Sequence, residues 1–514
     1  MVVLKRPLVL VPLILVTLVV SVVAALPGRA SPLSVTGLSA GPVGAAALAA
    51  MVVRADGHGQ PVRLFVDDRL VASASGVLVA RLGALGDGPH RVRVEVPGDL
   101  LRSAARRDAT VMVLTAPPTL AIDPHPPVGL REAVTVTGRT TARTLTSTAG
   151  GQPVVGPDGR FSVRYPAPPV GATLTGTDAA GNTTTAALSV EVRRPMMRGV
   201  HMTGLAWTSA ALREPILALI KTGQIDTVEL DLKDEDGFIS FASTNPLALR
   251  IGAVKSWYDA RKAVDQLHAA GARVVGRLVA FRDPALATWA YANGQRQMVI
   301  QAPGGAPYRS SYGPISFTNF ADPKVRAYNI DLAAEAAKLG FDDVLYDYCR
   351  RPDGPIAGMV FPGLTGSPAA SITSFMRDSQ TVLRPLGTSV GASVFGIAAD
   401  RPDEVAQNVP ELAKYVDFIA PMVYPSHWAK GEYGVADPNR QPAEIVSRSL
   451  AVFQRHLQGT TVALVPWLQD FSLGVAYGPD QVRAQIDAAK GLGITSFLLW
   501  NAGARYQSAA LVGR

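Results

Sequence analysis

Asp347, Tyr348, Arg350 and Arg351 lie close together at the end of FDDVLYDYCRRP, Phe341 to Pro352, where an apolar run gives way to polar groups. A carboxylate at the exit of a strand is placed for acid, base or nucleophilic work. The structural alternative is that Asp347 only pairs with Arg350 or Arg351. A second acidic segment is TVELDLKD, from Thr227. Its Val228, Leu230 and Leu232 are apolar, so strand alternation puts Glu229, Asp231 and Lys233 together on the opposite face. In RVVGRLVAF, from Arg273, the same alternation turns Arg277 inward with Val275 and Val279. Asp231 lies nearer its strand's exit and is a candidate for chemistry. Glu229 lies deeper and equally suits a buried ion-pair network with Arg277.

Rings and amides follow further along the chain. PMVYPSHWAKGEYG supplies Tyr424, His427, Trp428 and Tyr433; PWLQD supplies Trp467, Gln469 and Asp470; LLWN supplies Trp500 and Asn501. Aromatic faces stack on the C–H faces of a sugar, while amides and carboxylates bind its hydroxyls. Aromatic side chains at strand ends also serve simply to plug a barrel mouth.

All these groups need elements to hold them. Eight short apolar or β-branched runs, each ending in a polar tip, begin near Arg198, Thr227, Arg273, Asp343, Ser389, Phe418, Thr461 and Ser496. The segments between them are long enough for helices. YDARKAVDQLHAAG, VRAYNIDLAAEAAKLG and PDQVRAQIDAAKGLG carry helical spacing and end in glycines suited to a left-handed C-cap, at Gly271, Gly340 and Gly493. This rhythm predicts a (β/α)8 TIM barrel over residues 195–514, with functional groups at the C-terminal ends of its strands.

With 514 residues, 48% hydrophobic and 18% charged, the chain is long enough for more than one domain. Lys5 and Arg6 precede an uninterrupted apolar run from Pro7 to Leu26, which predicts a signal peptide or a single N-terminal membrane anchor within residues 1–30. Either one leaves the body of the protein extracellular or at the cell surface. Cys349 is the single cysteine, so no internal disulfide framework exists, and its position suits packing better than nucleophilic work. The net charge of +8 comes from scattered basic residues. Without an arginine-rich patch interleaved with aromatics, it argues against nucleic acid and fits attraction to anionic wall polymers or lipid headgroups.

Residues 31–116 read as alternating strands, PVRLFVDDRLVASAS and RVRVEVPGD, with a turn at Gly86 to His90. Prolines 117, 118, 124, 126 and 127 predict a stiff connector. A second set of strands then runs to residue 194, through AVTVTGRT, VVGPDGRFSVRYPAPP and ATLTGTDAAGNTTTAALSVEV. Both sets resemble bacterial immunoglobulin-like β-sandwich modules, which implies a spacer or surface-binding role.

From about residue 196 onward, RGVHMTG, ELDLKDEDG, VVGRLVAFRDP, LGFDDVLYDYCRRP, VDFIAPMVYPSHWAKGEYG, PWLQDFSLG and LLWNA resemble, in order, the glycosyl hydrolase domain family catalogued as domain of unknown function 4015. That family is distantly similar to α-amylase-like barrels. The resemblance implies action on a polysaccharide or cell-wall glycan and places a nucleophilic carboxylate at Asp347. Asp231, Asp234, His427, Trp467 and Asp470 fall on other motif positions. One departure stands out: Ser393, in ASVFG, occupies strand five where an aspartate is expected and where amylase-like barrels carry their general acid. A hydroxyl cannot take that role.

Glycoside hydrolysis ordinarily uses two carboxyls, about 5–5.5 Å apart for retention and about 6.5–9.5 Å for inversion. The expected catalytic set is Asp347 with Asp470 or Asp231 as proton donor, Asp283 being a poorer third. His201, Asp234, Arg277, Tyr348, Arg350, Tyr424, His427, Trp428, Trp467, Gln469, Trp500 and Asn501 are the expected substrate-binding residues. No cofactor is expected, since HExxH, CxxC, phosphate loops and serine elbows are absent, and DLKDEDG lacks the later glutamate of a calcium loop. Two alternatives stand beside this reading. One is a catalytically inactive carbohydrate-binding barrel displayed at the cell surface; the other is a hydrolase of a different bond type.

Overall fold

Side chains alternate along each half of Val52–Val66, burying Val53 and Ala55 and then, past a register shift between Asp56 and Pro61, Val62, Leu64 and Val66. The computed structural model describes residues 31–98, 102–169, 172–188, 190–193 and 195–512. The apolar run Pro7 to Leu26 lies outside them. Among the described residues no helix is long and apolar enough to cross a membrane.

Two compact units make up the chain, one built from residues up to 127 and from 133–191, the other from 128–132 and 192–514. The first unit is antiparallel β. Its five-stranded sheet comprises Ser34–Thr36, Val52–Val66, Arg69–Arg81, Gly88–Val96 and Ala105–Val113. The run PVRLFVDDRLVASAS is not one strand as expected. Asp67 and Asp68 both take positive φ, 48° and 62°, and turn the chain into a hairpin between Val52–Val66 and Arg69–Arg81. Short polar side chains tolerate that conformation, and the two-residue turn matches the twist of the strands.

A four-stranded sheet (Leu120–Ile122, Val134–Thr140, Arg160–Tyr165, Val154–Val155) and a three-stranded one (Thr183–Leu188, Ala172–Thr177, Thr144–Ser147) complete this unit. Tyr165 of one donates to Ser147 Oγ of the other at 2.8 Å. The proline-rich stretch is therefore not wholly a connector, because Leu120–Ile122 pairs with the end of Val134–Thr140.

The second unit is a closed barrel of eight parallel strands, β1 (Arg198–Met202), β2 (Thr227–Lys233), β3 (Arg273–Val279), β4 (Asp343–Asp347), β5 (Ser389–Phe395), β6 (Phe418–Met422), β7 (Ala463–Leu464 and Trp467–Gln469) and β8 (Phe497–Trp500). Each pairs with its neighbours, and β1 with β8 closes the ring. Pro466 splits β7 because it has no N–H to give to the ladder.

The intervening helices form where the sequence expects them, for example Ala260–Ala269, Pro323–Lys338 and Pro479–Gly491. Gly271, Gly340 and Gly493 follow them at φ of 86°, 99° and 77°. Asp259, Asp283, Asp322 and Ser367 cap helix starts by accepting from first-turn N–H groups. Val228, Leu230, Leu232, Val274 and Leu278 pack in the apolar layer between strands and helices. Inside the barrel sit Val275, Leu345, Phe418, Ala420, Val465 and Leu498.

Lys233 departs from the expected alternation. The β2–β3 register shifts between Asp231 and Lys233, so Lys233 pairs with Leu278 of the outer layer. A bulge of one residue sends the next side chain to the other face. Lys233 Nζ meets Asp283 at 2.7 Å and Asn329 Oδ1 at 2.8 Å, with both ends of the ion pair fully buried.

Candidate functional site

Strand β4 delivers Asp347 to the C-terminal rim, and the chain then turns sharply, with Tyr348 at φ 47°. That left-handed conformation is costly for a tyrosine, on the order of 1–3 kcal/mol. It lets the Tyr348 N–H donate to Asp347 Oδ1 at 2.7 Å. Asp347 Oδ2 accepts from Arg277 Nε at 3.0 Å and Nη2 at 2.6 Å. Both oxygens are thereby held in place.

Arg277, from β3, is 1% exposed and gathers further acids. Its Nη1 donates to Asp231 Oδ1 at 2.8 Å, and its Nη2 also meets Glu235, just past the tip of β2. Glu229 Oε1 lies 3.9 Å from Nε. One guanidinium cannot neutralise four carboxylates in a dry barrel, so their protonation must divide. Burial raises Glu229 well above the usual carboxyl range against the pull of Arg277. Burial likewise lifts Asp231 to about 8. Burial also pushes Glu235 upward, but the charge and hydrogen bond of Arg277 prevail and hold it at about 2. Arg277 thus favours the anion at Glu235, while burial favours the protonated forms of Glu229 and Asp231.

Below these groups is an aromatic and imidazole floor. His201 is fully buried, with Nδ1 3.3 Å from Glu229 Oε2, and stacks on Trp500 with centroids 4.1 Å apart. Burial, then Arg277, lowers its pKa well below the usual value, so its ring is neutral. Arg277 lies 4.9 Å from the Trp500 centroid, and Trp467 meets Trp500 edge-on at 5.5 Å. Trp467 Nε1 donates to Ser393 Oγ at 3.0 Å. Ser393 is thus a buried anchor for a tryptophan.

A cavity of about 260 Å³ opens onto this assembly. Of the residues expected from the sequence, Asp347, Arg277, Tyr348, Arg350, Tyr424, His427, Trp428, Trp467 and Trp500 line it together. Asp231 and His201 do not; they sit behind Arg277 and Trp500. Asp470 does not line it either. Its Oδ2 accepts the Gln507 N–H at 2.9 Å, and burial raises its pKa to about 6. The tail after β8, invisible to strand alternation, turns that carboxylate away. Asp234 shapes the β2 turn by accepting from the N–H groups of Asp236 and Phe238. Gln469 accepts from the Ser426 N–H at 3.0 Å and so fixes the loop bearing His427, while Asn501 bonds Asp470 O and Gly503 N. Asp283 caps a helix and pairs with Lys233. Cys349 is fully buried against Tyr346 O and Ser393 O, and burial pushes its thiol up to about 12.

The lining also includes residues that the sequence reading missed: Glu235, Tyr312, Phe395, Gly396, Ile397 and Met422. Glu235 had a signal, since it follows the β2 tip within DLKDEDG. Tyr312 had none, because it lies in the long segment between β3 and β4. Gly396 is required by close approach: a Cβ there would fall 2.5 Å from Trp428 Cζ2 and 2.8 Å from Met422 O.

A pair of acids, one at a strand's end and one on the loop that follows its neighbour but one, inside an aromatic cavity at the C-terminal rim defines a TIM-barrel enzyme site. The model of the family described as "Putative glycosyl hydrolase domain" matches residues 199–506, and the chain belongs to that family. It carries a glycosidase domain. Among curated proteins no match was found. Solved structures with similarity include a hypothetical protein from Ruminiclostridium thermocellum, at 26% identity and TM-score 0.34, covering 37% of this chain and 96% of that one. The PgaB (BpsB) glycoside hydrolase domain from Bordetella bronchiseptica shows 17% identity and TM-score 0.44 over 60% of this chain and 95% of that one. The spore cortex-lytic enzyme SleL of Bacillus cereus shows 11% identity and TM-score 0.39 over 64% of this chain and 76% of that one.

Proposed function

We propose that this protein is an exported glycoside hydrolase that cleaves a bacterial polysaccharide or cell-wall glycan with Asp347 and Glu235 as its paired carboxylates. The observation that carries the reading is that both acids line one aromatic-walled cavity and share Arg277 Nη2. Two oxygens bonded to one nitrogen are separated by at most two hydrogen-bond lengths, about 6 Å. That is near the roughly 5–5.5 Å of a retaining pair and short of the roughly 6.5–9.5 Å of an inverting one. The proton donor thereby moves from Asp470 or Asp231 to Glu235.

In the first step an Asp347 oxygen bonds to the anomeric carbon as the glycosidic C–O bond breaks, and Glu235 gives its proton to the leaving oxygen. In the second, Glu235 takes a proton from water, whose oxygen displaces Asp347. Resting Glu235 is unprotonated because Arg277 outweighs burial. A glycosidic oxygen arriving at Glu235 displaces the Arg277 N–H, so that burial prevails and Glu235 takes up from solvent water the proton it then donates. Tyr424, Trp428 and the neighbouring rings offer stacking faces to the sugar. Export is supported by Lys5, Arg6 and the apolar run Pro7 to Leu26.

A non-catalytic glycan-binding barrel is the second reading, favoured by the tie of both cavity carboxylates to Arg277. Reducing-end release from a panel of bacterial polysaccharides separates the two. The hydrolase reading expects release by the native chain and its loss in Asp347→Asn and Glu235→Gln, with glycan binding retained. Undiminished cleavage by either variant would refute its assigned role, and binding without any release would leave the second reading.

A further inference from the structure

The cavity holds a second buried arginine, Arg350, with which no acid among the described residues forms an ion pair. Arg350 is 2% exposed, and its Nη1 and Nη2 donate only to Arg351 O at 2.8 Å and to the Tyr312 hydroxyl at 3.1 Å. Its Nε is buried with no hydrogen-bond partner. Among the described residues no carboxylate lies within 4.0 Å of its guanidinium nitrogens. Rings stand in for a counter-ion: the guanidinium carbon lies 4.4 Å from the Phe395 centroid and 5.0 Å from that of Tyr348. A ring face offsets part of the lost hydration of a cation and none of its charge. Behind it, Arg282 lies 4.5 Å from the Tyr312 centroid, bonds the Tyr348 hydroxyl at 3.0 Å, and also has a buried, unpartnered Nε. Two cations thus flank one tyrosine pair, and neither forms an ion pair among the described residues.

From this we infer that the cavity takes a sugar bearing a carboxylate, seated on Arg350, next to the residue whose bond is cleaved. The inference rests on the glycan reading above and names its substrate class. Arg277 is fully engaged by Asp347, Asp231 and Glu235, so an incoming anion finds its open charge at Arg350. A guanidinium has five N–H groups and the chain's own acceptors take two of those of Arg350, so donors remain for the two oxygens of a carboxylate. Phe395 and Tyr348 provide ring faces beside it for the same sugar. The carboxylate has two natural sources in glycans, C6 of a hexuronic acid and the lactyl ether of a muramic acid.

The test compares binding, by calorimetry, of uronic-acid oligosaccharides with the same oligosaccharides after reduction of their carboxyls to alcohols. A second arm compares oligosaccharides containing N-acetylmuramic acid with N-acetylglucosamine oligomers. The native protein is expected to prefer the acidic member of one pair by about tenfold or more, the loss typical of a buried charge left unpaired. The pair that shows the preference identifies the source. The preference should disappear in Arg350→Gln, survive partly in Arg350→Lys, and weaken with added salt in the native protein, a readout that needs no variant. Equal binding of acidic and neutral members overturns the carboxylate site and leaves the glycan reading intact. Failure to bind any oligosaccharide overturns both.

Discussion

Arg277 and Arg350 line the same cavity, and both are almost wholly buried, yet their surroundings are opposite. Arg277 touches Asp347, Asp231 and Glu235, whereas Arg350 touches a carbonyl, a hydroxyl and aromatic faces. The first is a closed electrostatic unit that the folded chain completes by itself. The second is left open. The contrast teaches that a buried charge stabilises a fold only when its partners come with it, and that an unmatched one marks where a ligand enters.

Stability measurements break or sharpen this contrast most directly. Arg277→Met leaves several carboxylates without their cation and should cost the barrel about 3–5 kcal/mol in denaturant unfolding. Arg350→Met removes a charge that nothing repays and should be neutral within about 1 kcal/mol, or stabilising. Equal losses in the two variants would erase the distinction. In catalysis, Glu235→Gln should lower kcat by about 10²–10⁴-fold, the usual contribution of a positioned acid–base group.

The pH dependence separates the acids around Arg277. Asp231 titrates near 8 in the folded protein against an ordinary value of 3.8, so across that window the native state binds more protons than the unfolded chain. Its contribution therefore makes stability fall as pH rises from about 4 to about 8. Glu235 acts with the opposite sign and lower down: its stabilisation is present above 4.5 and fades as pH falls toward 2. Asp231→Asn should flatten the upper slope in unfolding midpoints measured between pH 4 and 8, and an unchanged slope would show that another group carries it. A more local effect is expected from Ser393→Ala, which leaves Trp467 Nε1 without its acceptor at a cost of about 1–3 kcal/mol. Thermal unfolding and tryptophan fluorescence report it.

Much of the barrel was legible in the sequence because its signals are local. Strand alternation turned Asp231 and Arg277 inward, and glycines 271, 340 and 493 marked helix ends through a conformation only glycine takes freely. What escaped was set by neighbours distant in sequence or by a single irregularity. One extra residue in β2 moved Lys233 to the helix layer. The N–H of Gln507, beyond the last strand, claimed Asp470. Glu235 stands on a loop tip, where periodicity says nothing, and only its contact with Arg277 reveals its place. Ser393 looked like a missing acid and is instead the acceptor that orients an indole.

The break in β7 at Pro466 bears on how the barrel breathes. Val465 and Trp467 still bond to β6 on either side, through Ile419 O and the Val423 N–H, but between them the seam has a missing rung. Cooperative opening begins where the ladder is thinnest. Amide protons along this seam should therefore exchange with solvent sooner than those of β2 and β3, and the cylinder should yield first on its tryptophan side, where a bulky polymer would need the extra width.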